Sequence, residues 1–232
     1  MKAIIFTLLM IIPVLSKAQL THCSIKGMVD NKNISYVTLH IGDTMDTAFV
    51  EHGMFAFSVT LVDPEFAALY LNYLDESQKR DLVPVFLQEG ALSLIISTSN
   101  GVIRVNVTGP VLSVDYEYKL WEPVKQLNVD IQNLNAVYYK EKTDDKPDTT
   151  TIHAQLLSKI RECFKIPKDY IRQHPDSQLS LQALTMLGSG DPTSQNGKEE
   201  LAALFATLSE DVKNSETGKK YRRTLNRLLY PD

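Results

Sequence analysis

Thiol chemistry is the first chemistry to consider in this sequence, because it contains two cysteines, Cys23 and Cys163. A thioredoxin-type site needs two cysteines separated by two residues, so that one thiolate attacks and the other resolves the mixed disulfide. Cys23 and Cys163 lack that spacing, and each is predicted to be a small apolar core residue. The alternatives are a structural disulfide in an oxidising compartment and a redox pair brought together by the fold.

The sequence gives less support to metal binding or acid–base catalysis. The five histidines include no pair at the three- or four-residue spacing of helical metal ligands: His22, His40, His52, His153 and His174. Asp75-Glu76 and Asp144-Asp145 are adjacent carboxylates in turn-like stretches, which favours solvated surface. Without a phosphate-binding loop or a nucleophile elbow, the sequence predicts no catalytic residue, no cofactor and no metal.

Two further features concern the surface. Three threonines follow an aspartate in the acceptor motif for O-glycosylation of Bacteroidetes envelope proteins: Thr44, Thr47 and Thr149. The last predicted helix has a basic end formed by Lys219, Lys220, Arg222, Arg223 and Arg227. Cations at a helix end complement the helix dipole. A solvated helix end is therefore the simpler interpretation, and binding to an anionic partner or membrane surface is the alternative.

The N-terminus has the pattern of a secretory signal peptide. Lys2 gives a cationic start, an apolar run covers residues 3–15, and residues 16–18 offer small side chains to a signal peptidase. The run is shorter than the roughly 20 residues that span a membrane. We therefore predict a signal peptide over residues 1–18 and no transmembrane anchor after its cleavage. A lipoprotein start at Cys23 is the alternative.

The elements that must position these residues differ between the two halves of the chain. Over residues 23–108 apolar and polar residues alternate, and Cys23, Ile25 and Val29 share one register. Period two indicates strands with one buried face. About eight such runs are separated by Gly, Asn, Asp and Pro turn signals. This pattern predicts an antiparallel β-sandwich or barrel-like domain over residues 19–110.

After Gly109-Pro110 the period becomes that of a helix. Spacings of three and four predict one long helix with the apolar stripe Trp121, Val124, Leu127, Ile131, Leu134 and Tyr138. Pro123 should start that helix or kink it. Similar apolar stripes follow along the chain, with interruptions at Pro167 and at a linker over residues 188–197. Together they predict roughly four to five helices over residues 111–232. The predicted fold class is α+β, with a β-sandwich-like domain followed by a helical region.

Composition limits the partners. Hydrophobic residues make up 44% and charged residues 22% of the 232 residues, with a net charge of −4. These values exclude a disordered or disulfide-dense chain. Because most basic residues lie in the second half, the first half lacks the basic face that nucleic-acid binding requires.

Several short segments, in their order along the chain, carry a resemblance to a known family. They are Ile25-Lys26-Gly27, Tyr36-Val37-Thr38-Leu39, Asp46-Thr47-Ala48-Phe49-Val50, Gly53-Met54-Phe55-Ala56-Phe57, Val85-Phe86-Leu87-Gln88-Glu89-Gly90 and Val107-Thr108-Gly109. Together they resemble the N-terminal domain of unknown function of Bacteroidetes thiol-disulfide interchange proteins of the TlpA and AhpC/TSA type. The helical half is similar to the segment that follows there, at His174-Pro175-Asp176-Ser177 and Thr217-Gly218-Lys219-Lys220.

Members of that family usually continue into a thioredoxin-like domain with Cys-x-x-Cys, a motif that this sequence, ending at Asp232, does not contain. The resemblance therefore implies a non-catalytic module. We expect export across the inner membrane to the periplasm or an outer-membrane-associated site, and an interaction or accessory role toward a protein partner, with a thioredoxin-like protein as one candidate. One alternative is a component of a thiol-disulfide redox system that uses either Cys23 and Cys163 or a separate thioredoxin-like partner. The other is a truncated gene product without a retained role.

Overall fold

Strands and then helices follow one another along the chain in a computed structural model, which confirms the predicted α+β class. The structure describes residues 20–74, 80–99, 102–143, 150–188 and 195–230. The predicted signal peptide over residues 1–18, both adjacent carboxylate pairs and Thr149 lie outside these residues.

Eight strands form two four-stranded sheets. They are β1 (Thr21–Val29), β2 (Ile34–Ile41), β3 (Thr44–Phe49), β4 (Met54–Leu61), β5 (Glu65–Tyr73), β6 (Arg80–Leu87), β7 (Gly90–Ser99) and β8 (Val102–Thr108). The strand orders are β4-β1-β7-β8 and β3-β2-β5-β6. Neighbouring strands are antiparallel except for β1 and β7, which run parallel. The β-sandwich is thus as predicted, apart from one parallel pair that periodicity cannot reveal.

The core of the sandwich lies between the two sheets. The register predicted for β1 is correct, since Cys23, Ile25 and Val29 are all buried there. Gly27 belongs to the same register and pairs with Phe55 of β4. A Cβ on Gly27 would overlap the Phe55 ring. The ring therefore occupies the space that a side chain at residue 27 would otherwise fill.

The helical region begins directly after the last strand. It comprises α1 (Val111–Asp115), a π-helical segment (Tyr116–Trp121), α2 (Glu122–Thr143), α3 (Thr150–Gln173), α4 (Leu179–Gly188), α5 (Gln195–Ala206), α6 (Glu210–Asn214) and α7 (Glu216–Leu229). Because α1, the π-helical segment and α2 are continuous, the described residues contain six separate helices. The extra helix is the short α6, which begins at Ser209, where the side chain accepts a hydrogen bond from the Val212 backbone N–H.

Pro123 and Pro167 both lie inside helices, so neither is the helix boundary that the sequence offered for it. Pro123 does not start its helix, which begins at Val111; the π-helical segment ends two residues before it. Proline lacks a backbone N–H, and its ring clashes with the preceding turn of a regular α-helix. The wider π turn before Pro123 accommodates both features. Pro167 does not interrupt α3, which runs on to Gln173 with Pro167 buried inside it. Tertiary packing of this buried turn outweighs the helix-breaking tendency of proline.

The helices cover one edge of the sandwich. Tyr116 of the π-helical segment packs against Phe66 and Phe86, with ring centroids 6.2 and 6.1 Å away. The Leu112 backbone N–H donates to Gln88 Oε1 at 3.0 Å, on the loop after β6. The covered edge is that of β6 and β8, so β3 and β4 form the opposite edge.

A tight hairpin turn connects β3 and β4 at His52-Gly53. Both residues have positive φ, 52° and 78°. Glu51 and Met54 close the turn with two backbone hydrogen bonds of 2.9 Å. Positive φ at both central positions defines the mirror-image hairpin turn that favours Asn-Gly.

Substitutions at His52 should follow this backbone geometry. We expect His52→Asn to raise the free energy of unfolding by about 0.5 kcal/mol, and His52→Val to lower it by about 1–2 kcal/mol, because a β-branched residue resists positive φ. Urea-unfolding midpoints of the three proteins measure the effect. A His52→Val protein as stable as the wild type would contradict the assigned turn.

Candidate functional site

The structure keeps the two cysteines apart. Cys23 is buried between the sheets, Cys163 is half-buried on α3, and both thiols are free. The Cys163 Sγ lies 3.9 Å from Asn128 Oδ1 on α2. Burial raises the pKa of both thiols, which is the opposite of the shift that creates a reactive thiolate.

Thiol labelling should distinguish Cys23 from Cys163 by their accessibility. At pH 8 we expect a thiol reagent to modify Cys163 in the folded protein and Cys23 only after unfolding, because Cys23 has no exposed surface. The Cys163→Ser variant should have no thiol that reacts in the native state, whereas Cys23→Ser should keep one. If the unreduced, unfolded protein contained no titratable thiol, a disulfide would be present and the structure would be contradicted.

The other candidates from the sequence are dispersed. Thr44 and Thr47 lie on the exposed strand β3. The histidines are separate from one another, and no group of three or more His, Cys, Asp or Glu side chains suited to a metal occurs in the described ranges. At the basic end of α7, Lys219 pairs with Glu216 at 2.7 Å, and Arg222 lies over the Phe205 ring.

The most distinctive exposed surface is the β3–β4 edge, by which we mean β3, the His52-Gly53 turn and β4. Large apolar side chains point to solvent here, with Phe49 74% exposed, Met45 66% and Met54 58%. Phe49 and Met54 line the same shallow pocket of about 470 Å³. Exposed apolar side chains gathered in one place are typical of interaction sites.

The apolar surface continues across the outer face of the first sheet. Met28 of β1 pairs with Met54 on one side and with Ile95 of β7 on the other. All three side chains are exposed. They form one row across three adjacent strands, which enlarges the apolar surface beyond the edge itself.

The backbone of β3 is also open to solvent along this edge. Along an antiparallel pair, successive residues alternately direct their backbone groups toward and away from the neighbouring strand. The two-residue turn after Ile41 and the hydrogen bond from the Val50 N–H to the Ser35 carbonyl show which residues of β3 bond to β2. By that alternation Met45, Thr47 and Phe49 direct their N–H and C=O groups away from β2. The Thr47 N–H is held by its neighbour, donating to Asp46 Oδ1 at 2.7 Å.

The opposite edge is closed by the helices. The Val107 backbone N–H of β8 donates to the Tyr118 hydroxyl at 3.2 Å, and the Ile103 carbonyl accepts from Lys125 Nζ at 2.9 Å. These bonds use backbone groups that a further strand would need. Of the sandwich edges, the β3–β4 edge is therefore the better placed to accept a partner.

A buried carboxyl was missed by the sequence analysis. Glu117 of the π-helical segment is only 3% exposed. Burial raises its pKa to about 7, helped by Glu122 and opposed by Lys125. One turn earlier the buried Ser113 hydroxyl has no hydrogen-bond partner in the described part of the chain. If the apolar stripe that contains Trp121 and Val124 is continued one turn toward the N-terminus, Glu117 falls on the apolar face. The sequence therefore contained a signal for the burial of Glu117.

The comparison with protein families concerns the β half. Residues 23–116 match the family model described as a domain of unknown function, DUF4369. The matched residues run from the first strand through α1, so they include the β3–β4 edge and end just before Glu117. No curated protein matches the chain. In the residues that the structure describes, no helix is long and apolar enough to cross a membrane.

Proposed function

We propose that this protein is a secreted, non-catalytic interaction module of the bacterial envelope, and that its β3–β4 edge binds a protein partner. The observation that carries the proposal is an uncovered edge that presents both apolar side chains and outward backbone groups. The resemblance to the N-terminal part of thiol-disulfide interchange proteins supports an envelope location, and the pattern of residues 1–18 supports export.

The edge suits a partner that adds an extended strand. Met45 and Phe49 can exchange backbone hydrogen bonds with such a strand, and the Thr47 carbonyl can accept one, since the Thr47 N–H already donates to Asp46. The exposed Met and Phe side chains supply apolar contact. An aromatic side chain at the centre of an interface commonly carries much of the binding energy. The partner strand would then continue the second sheet beyond β3.

Charge narrows the chemistry of the partner. Asp43, Asp46 and Glu51 are exposed along or beside this edge, where they outnumber the exposed Lys26 that lines the same pocket. Their negative field favours an extended segment with basic residues and disfavours an acidic one. A thioredoxin-like protein of the envelope is the first partner to test, because the resemblance links this domain to such proteins.

Variants of the edge test the proposal. Phe49→Asp should abolish co-purification of the partner from envelope extracts, because it places a charge at the centre of the apolar surface. Tyr139→Asp is the matched control, since Tyr139 on α2 is similarly exposed at 65%, and it should retain the partner. Equal recovery by both variants, at equal thermal stability, would reject this edge as the binding site.

Activity assays address the redox alternative. We expect no insulin reduction and no peroxidase activity from the purified protein, because the two thiols are separated and have raised pKa values. Turnover that disappears in Cys23→Ser or Cys163→Ser would reject the non-catalytic assignment in favour of the redox one.

A further inference from the structure

The helical region contains a groove that the proposed function does not use. It lies between α4, α5 and α7 and has a volume of about 450 Å³. Its lining includes Leu184 and Gly188 of α4, Leu201 of α5, and Lys220, Tyr221 and Leu228 of α7. This volume falls in the range of roughly 300–1,000 Å³ that is typical of small-molecule sites.

The floor of the groove is apolar. Leu184, Leu201 and Leu225 line it while being nearly or fully buried by the helices beneath. Tyr221 forms part of the wall and stacks on Phe205, with ring centroids 5.5 Å apart. Burial raises the pKa of Tyr221 to about 12, so its hydroxyl stays protonated and can donate a hydrogen bond. An apolar chain is the complement of such a floor.

The rim of the groove is cationic. Lys220 lines the groove, whereas Arg223 and Arg227 lie outside its lining on the exposed face of α7. In the part of the chain that the structure describes, Lys220 forms no ion pair, although it interacts electrostatically with Glu65 and Glu216. The described lining contains no carboxylate. The field at this rim therefore favours an anionic group.

We propose that this groove binds an amphipathic monocarboxylate of the fatty-acid class. The acyl chain lies between α4 and α7 over Leu184, Leu201 and Leu228, and the carboxylate lies at Lys220. Charge complementarity selects the head group, and the apolar floor selects the chain. The proposal is independent of the β3–β4 edge, which lies in the other half of the chain.

Titration calorimetry with dodecanoate, below its micelle concentration, tests the proposal. We expect saturable binding of one molecule per chain. Decanoate should bind about tenfold more weakly than dodecanoate, since each buried methylene changes the Kd about three- to fourfold. Dodecanol has the same chain without the charge, and it should bind about tenfold more weakly than dodecanoate.

Two variants and a control locate the site. Lys220→Gln should raise the Kd for dodecanoate about five- to tenfold, whereas Arg223→Gln, with the same loss of charge outside the lining, should change it less than twofold. Gly188→Leu should abolish binding by filling the groove. A Cβ at Gly188 meets only Leu201 Cδ1, at 3.8 Å, so this variant should fold, as its thermal melt will show.

Several results would overturn the proposal. They are the absence of saturable dodecanoate binding, equal affinity for dodecanol, equal effects of Lys220→Gln and Arg223→Gln, and unchanged binding in a folded Gly188→Leu protein. The first result would leave an acidic helix of another protein as the occupant to test.

Discussion

The wild-type protein should lose stability on the order of 2–3 kcal/mol between pH 5 and pH 8, and replacing Glu117 by glutamine should remove this loss. The folded state raises the pKa of Glu117 from 4.5 to about 7. Its neutral carboxyl therefore stabilises the fold fully below pH 4.5, and this contribution is lost as the pH rises through 7. Glutamine is neutral at every pH and should flatten the profile.

Urea unfolding at several pH values measures this effect. Comparing pH 5 with pH 8 within each protein cancels the pH-independent cost of burying a glutamine amide. Glu122→Gln is the matched control, because Glu122 is 48% exposed and should leave most of the pH dependence in place. If the Glu117→Gln profile ran parallel to the wild-type profile, Glu117 would not be the buried acid.

Truncating Phe55 should strongly destabilise the sandwich core. We expect Phe55→Ala to lower the free energy of unfolding by about 3–5 kcal/mol, because it removes a buried ring and leaves a cavity over Gly27. Gly27→Val alone should also destabilise, by about 1–3 kcal/mol, since its side chain must displace that ring.

The double variant Gly27→Val/Phe55→Ala distinguishes this packing from general core damage. The valine side chain would occupy space vacated by the ring, so the combined loss should be smaller than the sum of the two single losses. Chemical denaturation of the four proteins gives the coupling energy. Strict additivity would mean that Phe55 does not fill the place of a side chain at residue 27.

The sequence was most informative where structure depends on local periodicity. Alternation placed Cys23, Ile25 and Val29 in the core, and the change of period after Gly109-Pro110 marked the start of the helices. Both signals arise within a few residues and need no knowledge of distant partners.

Long-range packing explains what the sequence did not reveal. Pro167 remains helical because the surrounding helices bury it. The sequence around Phe49 resembles that of an inner strand. Only the strand order shows that β3 lies at an edge of its sheet. The closure of the β8 edge likewise depends on Tyr118 and Lys125, which come from the helical half.

The packing of the helices against the sandwich leaves one of its edges uncovered. Side chains of the helices form hydrogen bonds with backbone groups of β8. The helix α1 and the π-helical segment pack on the same side of the sandwich. The opposite edge keeps its apolar side chains and outward backbone groups exposed. The buried Glu117 lies in the helix that covers the closed edge, so it affects the stability of that packing and not the proposed binding surface.

Site-specific photo-cross-linking tests the binding role of the β3–β4 edge most directly. A photoreactive amino acid replaces Phe49 in one protein and the similarly exposed Tyr139 in another, and both are irradiated in the envelope of living cells. We predict a discrete cross-linked adduct from residue 49, reduced by adding Met54→Asp, and none from residue 139. The absence of an adduct at residue 49, or the same adduct at both positions, would contradict the proposal.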